Sequence, residues 1–428
     1  MLENINVADQ GPSFTDPEVI ECPFPVYDHL LEEQPVYRDP VTGFYIVTRY
    51  DDVRRVILDP ETFVSGGIVE HVRDGIQASR AARMREVYVE KGWLPGPSLS
   101  QQDEPRHSQT RGIFEQAFRA GRIKELDPIV RDTAYELVDD FIADGRCEFV
   151  SQFAVPLPLR VIGIQMGARM EDLWKIKDWT NAYIMRLGLL QTEEEELATI
   201  EAEIEAQHYF KKIFDDLRET PDATLLSDLV NTSTSDGRRL TDEELFAHIM
   251  ADTFVGGSET TTNALSAGIM LLARNPQQGQ LLRSDPDKYL RPFIEEVLRL
   301  ESPVQLLHRV AARDAEIAGV TIPAGALVGV CYGAANRDAR RFECPSKLDI
   351  DRPGAGAHMA FGAGIHHCLG APLARRELYW GFRAVLERLD DIQLDEAAND
   401  YAHLPNLMLR ALKELHITFR VREPRHDG

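Results

Sequence analysis

Cysteine is scarce and unpaired in this chain: five in 428 residues, scattered at positions 22, 147, 331, 344 and 368. An odd, dispersed set excludes a disulfide framework and points to a reducing compartment. Positive charge is the scarcer sign, with 47 Lys and Arg against 70 Asp and Glu, a formal charge of −23. That balance excludes a protein that broadly grips nucleic-acid phosphates or an anionic membrane, so any basic contact has to be a local patch. No apolar run is long enough to cross a bilayer, and the opening MLENINVADQGPSFTDPEVIECPFP has no charged region followed by an apolar one, which argues against a signal peptide or anchor. The expectation is a cytoplasmic protein. Internal repeats and low-complexity linkers are missing too. What remains, 43% hydrophobic and 27% charged residues, is the composition of an ordinary globular protein. The length allows two or three domains or one large unit.

The stretch VYRDPVTGFYIVTRY from Val36 to Tyr50 reads as two β-rich runs around a turn, hence a small hairpin. From about Glu115 to Ile269 apolar positions recur at three- and four-residue spacing, which predicts an almost unbroken series of helices. Strand character returns only between about Arg309 and Gly333. The fold class is therefore mainly α with small segregated sheets (α+β), without alternating βαβ order. Between Gly66 and Arg106, Gly, Pro and Ser punctuate a basic stretch, which predicts a partly helical excursion with a long loop.

Residues 361 to 370 read Phe-Gly-Ala-Gly-Ile-His-His-Cys-Leu-Gly, immediately before a helical pattern. Cys368 is thus expected at a helix N-terminus, where the macrodipole favours thiolate. Gly362 and Gly364 let the backbone turn tightly, and Gly370 lets a flat ring approach the helix. A lone cysteine is usually a small core residue, and zinc would ask for four ligands. A single thiolate framed by glycines suits the axial ligand of a heme iron.

This segment resembles the heme-binding loop of the cytochrome P450 family, Phe-Gly-x-Gly-x-His/Arg-x-Cys-x-Gly, at every fixed position. Independent stretches carry the same resemblance. Glu296 and Arg299 in RPFIEEVLRL look like the family's Glu-x-x-Arg pair, with Arg352 where its third member is expected. Gly256-Gly257-Ser258-Glu259-Thr260-Thr261 resembles the groove of the family's long central helix, here opened by a capping box from Thr241 to Glu244. Mid-helix glycines cost about 1 kcal/mol each relative to alanine, so something has to approach the backbone there. The bland alternative for the consecutive threonines is back-bonding to the helix. His107 and Arg111, four apart, look like the family's His-x-x-x-Arg, and Arg309 matches its basic residue after the Glu-x-x-Arg helix. The resemblance covers essentially the whole chain.

It implies one P450 domain over 1–428, a triangular prism with the heme between the helix bearing Thr260 and the helix after Cys368. It implies heme b held by Cys368, noncovalently because no Cys-x-x-Cys-His occurs. His107, Arg111, Arg309 and His366 would neutralise the propionates, with Gly256, Phe361, Gly362 and Gly370 against the ring. Thr260 would hold dioxygen and a water, and Glu259 would relay protons. The implied activity is a monooxygenase placing one oxygen atom of O2 into an apolar small molecule: a terpene, steroid, fatty acyl chain or aromatic. With no reductase fused, electrons would come from a ferredoxin and ferredoxin reductase docking near Arg111, Arg375 and Arg376. A heme-thiolate sensor or a peroxide-driven enzyme would not need the Glu259-Thr260 pair. The protein is expected to be a monomer without nucleic-acid or membrane partners.

The resemblance puts the substrate pocket around Val255, Val304, Leu306, Leu307, Leu407 and Met408, together with the segment bracketing Met185 to Thr192. Asp252, eight residues before Thr260, lies on nearly the same helical face, where the family more often presents an apolar side chain. A buried carboxylate needs a partner: a polar residue of a neighbouring helix, or a donor on the substrate.

Overall fold

In the computed structural model, which describes residues 11–66, 78–187, 191–234 and 236–422, the N-terminal hairpin forms as the pattern predicts. Strands β1 (Val36–Arg38) and β2 (Tyr45–Val47) run antiparallel with Val36 opposite Val47. Asp39 sets the turn: its Oδ1 accepts from Val41 N and Thr42 N, and its Oδ2 reaches back to Phe14 N. Further along lie β3 (Phe63–Val64), β4 (Arg146–Glu148), β5 (Leu306–Ala311), β6 (Ala315–Ile317), β7 (Val320–Ile322), β8 (Leu327–Cys331), β9 (Leu389–Leu394) and β10 (His416–Val421). The main sheet has the order β1-β2-β8-β5-β3, with β2 parallel to β8. A three-stranded sheet, β4-β10-β9, and the pair β6-β7 stand apart from it.

Two expectations need correction. The helical stretch from Glu115 to Ile269 is interrupted by β4, and strands also occur outside 309–333, at β3, β9 and β10. Their cause is non-local: β4 finds its partner in β10, where Cys147 pairs with Ile417. Within the 66–106 excursion, helix α1 (Ala78–Lys91) is present as expected, while residues 67–77 lie outside the described part.

The helices that position the site are α2 (Arg106–Ala117), α3 (Ala120–Phe141), α4 (Leu173–Leu187), α5 (Glu193–Glu219), a long α6, then α7 (Pro286–Glu301) and α8 (Ala371–Arg388). Helix α6 consists of Asp242–Ala247, a widened π-type stretch His248–Glu259, and Thr260–Arg274. Its capping box forms as predicted, with Thr241 Oγ1 accepting from Glu244 N and Glu244 Oε2 accepting from Thr241 N. The wide turns coincide with Gly256 and Gly257, and Thr253 Oγ1 donates to His248 O five residues back. Such local widening of a helix recurs at functional sites.

Helix α8 buries Leu373, Leu378, Phe382 and Val385 against the core, an apolar stripe at helical spacing. It meets α6 at two reciprocal glycines. A Cβ on Gly268 would lie 2.3 Å from Phe382 Cζ, and one on Gly381 would lie 2.8 Å from Leu265 Cδ2. The two helices are therefore close enough that only glycine fits at the crossing, and this fixes the N-terminal half of α8 opposite the wide turns of α6.

Candidate functional site

Between these two elements lies a cavity with Cys368, Leu369, Gly370, Leu373 and Glu377 on one wall and Asp252, Gly256, Gly257, Thr260 and Thr261 on the other. The loop carrying Cys368 is bent by Gly362 (φ +63°) and Gly364 (φ +68°), in a left-handed conformation that side chains disfavour. A Cβ on Gly364 would sit 3.0 Å from Ile57 O, so the loop also packs flush against the end of helix Tyr50–Ile57. Cys368 N donates to Phe361 O at 2.9 Å, closing the loop. Arg111 braces it from outside, donating to Ile365 O at 2.9 Å and His367 O at 3.1 Å.

The helix start favours the thiolate of Cys368 as expected, and burial opposes it. Burial pushes the Cys368 thiol up, and the backbone N–H groups of Gly370 and Ala371 with the charges of Arg111 and Arg375 only partly offset this. The helix start therefore does not by itself make a thiolate. Coordination to a metal ion would supply the missing charge.

Around one rim of the cavity stand His107, Arg111, Arg309 and His366. The rings of His107 and His366 are 4.4 Å apart. Neither nitrogen of the buried His107 ring has a hydrogen-bond partner, and burial lowers its pKa. His366 reaches Ser65 Oγ at 3.0 Å. Its pKa is pushed down to about 3, by burial first and then by Arg309, His107 and Arg111. The Arg309 guanidinium donates to His308 O at 2.7 Å. Two histidines whose pKa values are lowered by burial and by neighbouring basic groups, standing with Arg111 and Arg309, fit a dianionic ligand such as the two carboxylates of a heme. Phe361, Gly362, Gly256 and Gly370 share the same walls, and the donor set is a single sulfur. The residues present fit a heme. No cluster of three or more His, Cys, Asp or Glu side chains suited to holding a metal ion occurs among the described residues.

Thr260 Oγ1 donates to Gly256 O at 2.8 Å, so the back-bonding geometry and a place on the cavity wall coexist. Its neighbours are committed to other partners: Thr262 donates to Ala154 O, and Thr261 donates to Glu377 Oε2 at 3.2 Å, also on the cavity wall. Glu259 is not on the cavity wall. It is buried on the far side of α6, ion-paired with Lys177 Nζ of α4 at 2.5 Å and within 3.4 Å of Thr180 Oγ1. Glu296, Arg299 and Arg352 come together as expected. Arg299 grips Glu296 through two bonds of 2.6 and 3.0 Å, and Arg352 Nε reaches Glu296 Oε1 at 2.9 Å.

The pocket expectations divide. Asp252, Val304 and Leu307 line the cavity. Val255, Leu306, Leu407 and Met408 do not, and neither do the described residues between Met185 and Thr192. Leu306 and Leu307 are adjacent on a strand and point to opposite faces; Leu306 enters a second core cluster with Leu407, Tyr27 and Leu30. Val255 and Met408 pack in the main core.

The reading that Asp252 turns aside to a side chain of a neighbouring helix needs revision, because its partners are a backbone N–H and a residue of its own helix. Oδ2 accepts from Leu99 N at 2.7 Å and lies 2.8 Å from Nδ1 of His248 on its own helix. The basic patch expected for an electron donor is compensated charge: Arg111 pairs with Glu115, Arg375 with Glu295 through two bonds, and Arg376 with Asp127 of α3.

Sequence reasoning missed Lys177, Tyr332 and Glu377. Glu377 had a signal. It interrupts the apolar stripe Leu373, Leu378, Phe382 of α8 on the buried face. It is fully buried, and burial pushes its carboxyl up to about 8 despite the bond from Thr261.

Comparison with known proteins agrees with this geometry. The family model described as Cytochrome P450 matches residues 170–412. The chain is 35% identical over 409 residues to the cytochrome P450 monooxygenase PikC of Streptomyces venezuelae, covering 93% of this chain and 91% of that protein. Cytochrome P450 CYP109Q5 from Chondromyces apiculatus superimposes with a TM-score of 0.82 at 30% identity, over 96% of this chain and 99% of that one. P450BioI, solved in complex with an acyl carrier protein ligated to hexadec-9Z-enoic acid, gives 0.83 at 29% identity, over 94% and 99%. With a helical body, small separate sheets and a cysteine loop facing a widened helix, the chain belongs to the cytochrome P450 family and is a bacterial-type P450 monooxygenase.

Proposed function

We propose that the protein holds heme b through Cys368 and oxygenates an apolar small molecule with electrons from a separate ferredoxin and its reductase. The observation that carries this is the cavity itself, with one cysteine on one wall, Thr260 on the facing wall and His107, Arg111, Arg309 and His366 gathered at the rim. When bound, the heme supplies the chemistry that splits dioxygen, one atom entering the substrate and the other leaving as water.

The chain supplies the rest. Cys368 contributes the thiolate ligand, and His107, Arg309 and His366 bind the carboxylates. Arg111 holds the ligand loop in shape. Gly256 and Gly257 would leave room for ligands beside a bound heme. Thr260 Oγ1 holds a proton on the cavity side of α6. Glu259 moves protons in from the α4 side, where its partner Lys177 keeps 11% of its side chain exposed to solvent. Leu99, Phe114, Ile162, Val304 and Leu307 keep water out and favour an apolar substrate. A terpene, steroid, fatty acyl chain or aromatic fits such a lining. The fatty acyl ligand of P450BioI and the relative named vitamin D(3) 25-hydroxylase support that range. The donor docks where Cys368 lies nearest the surface, the protein acts in the cytoplasm as a monomer, and 1–428 forms one domain. No helix of the described residues is long and apolar enough to cross a membrane.

The test is the ferrous carbon monoxide spectrum, which shows the red-shifted Soret band of thiolate ligation in the wild type and loses it in Cys368→His. A band that survives the substitution rules out Cys368 as the ligand. Turnover with a ferredoxin system and O2, against turnover with peroxide alone, separates the monooxygenase from a peroxide-driven enzyme.

A further inference from the structure

Asp252 puts a carboxylate on the cavity wall, on the wide turns of α6, where Leu99, Phe114 and Ala251 also line the cavity. Its two oxygens are used differently. Oδ2 ties the turn Leu99–Gln101 to α6 through Leu99 N and meets His248 Nδ1. Oδ1 has no hydrogen-bond partner among the described residues, and the side chain keeps 14% of its surface open. His248 is the titratable partner on its own helix; its ring packs edge-on to Phe114 of α2 and its Nε2 is buried without a partner. The pair is thus held rigidly from α2, α6 and the Leu99 turn. One carboxylate oxygen is left without a donor on the cavity wall, and that arrangement is costly once a bound substrate displaces water unless the substrate brings a donor.

We infer that Asp252 is the substrate's polar anchor. The preferred substrates are apolar bodies carrying one hydrogen-bond donor, a hydroxyl or a cationic amine, placed to meet Oδ1. This rests on the monooxygenase reading and adds a ruler to it. Asp252 precedes Thr260 by eight residues, about 12 Å along an α-helix and somewhat less where the turns are wide. The carbon oxidised therefore lies roughly 10 Å from the donor along the substrate. The Oδ2 bonds keep the anchor from swinging, so they convert binding into a fixed register over the reacting position.

The experiment titrates the purified holoenzyme with decan-1-ol, protonated N,N-dimethyldecylamine and decanoate, read by the heme spin-state shift and by calorimetry. In the wild type the alcohol and the cation bind at least about tenfold tighter than decanoate, one charge-assisted contact against one repulsion. Asp252→Leu abolishes the ranking. Asp252→Asn keeps an acceptor for Leu99 N, retains alcohol binding and loses the preference for the cation. Equal affinities in the wild type, an unchanged ranking in Asp252→Leu, or no measurable binding of either donor probe overturns the anchor. The carbon monoxide band of each preparation reports separately whether the heme-thiolate site is intact, so a failed anchor is distinguishable from a failed monooxygenase.

Discussion

Thr261 of α6 donates its hydroxyl proton to Glu377 of α8 across 3.2 Å, a bond to a buried carboxyl on the cavity wall. Burial raises that carboxyl from 4.5 to about 8, so at neutral pH it is held as the acid. Below pH 4.5 the folded and unfolded states are both protonated and the group costs nothing that depends on pH. Between 4.5 and about 8 the unfolded state releases the proton first, so stability falls as pH rises, and above that the loss is constant. The magnitude is a few kcal/mol. Glu377→Gln removes the penalty while keeping an acceptor for Thr261. Its melting temperature is expected to match the wild type near pH 4.5 and to exceed it increasingly towards pH 8. A difference that does not change with pH would show that the carboxyl is not raised.

Thr260 differs from Thr261 in that its hydroxyl bonds its own helix and not Glu377. Its Oγ1 donates to Gly256 O, which orients the oxygen lone pairs toward the open space and leaves them free to accept. Thr260→Ala deletes that acceptor without opening the helix. The expected result is uncoupling: the reduced donor is still consumed, peroxide is released and product yield falls by about tenfold or more, the scale of a lost proton-transfer group. Product and peroxide measured against donor oxidised check it, and unchanged coupling removes Thr260 from the relay. Glu259→Gln, which keeps the groove but loses a proton carrier, is expected to slow turnover with less peroxide.

What the sequence conveyed and what it withheld follow from the range of the interactions. The Cys368 loop, the Glu296-Arg299 pair and the capping box at Thr241 are local patterns, each legible within about ten residues, and the geometry brings them together. The β4 strand was invisible because Arg146–Glu148 is a strand only by virtue of β10, some 270 residues away. Lys177 was invisible for the same reason: nothing near it in the chain marks it as the partner of Glu259. The pocket was half legible. A strand's alternation decides between Leu306 and Leu307, yet which of the two faces the cavity depends on how the sheet packs against the second core cluster.

The triad of Glu296, Arg299 and Arg352 does more than neutralise charge. Arg299 also donates to Asn336 O, Pro345 O and Lys347 O, and Arg352 donates to Glu343 O, Cys344 O and Lys347 O. Together they hold the segment 343–352, which leads into the cysteine loop. Arg299→Ala is expected to cost about 3–5 kcal/mol, because Glu296 is left buried with half its compensation. Arg299→Lys should rescue little of this, since an ammonium cannot reproduce the forked contact to the carboxylate and the carbonyls together. Urea unfolding, with heme content measured in parallel, is the test. A loss below about 1 kcal/mol would place the triad with ordinary surface pairs.

The approach of the electron donor is decided by what is left of the arginines near Cys368. Arg375 is committed to Glu295, whose carboxyl is held down to about 2: burial acts to raise it, and the bonds from Arg375 and His358 outweigh that. Arg376 is committed to Asp127 and stacked on Tyr379, and Arg111 to Glu115 and the cysteine loop. Compensated arginines steer weakly. In a protein of formal charge −23, the long-range field also opposes an acidic donor. The association rate with an acidic ferredoxin is therefore expected to rise, by less than about tenfold, as salt screens the net repulsion. Arg375→Gln frees Glu295 at the same surface and should slow association further at low salt, with the difference vanishing at high salt. Stopped-flow reduction across a salt series measures both. An association rate that falls steeply with salt in the wild type would mean that free basic charge, from residues other than these three, forms the docking face.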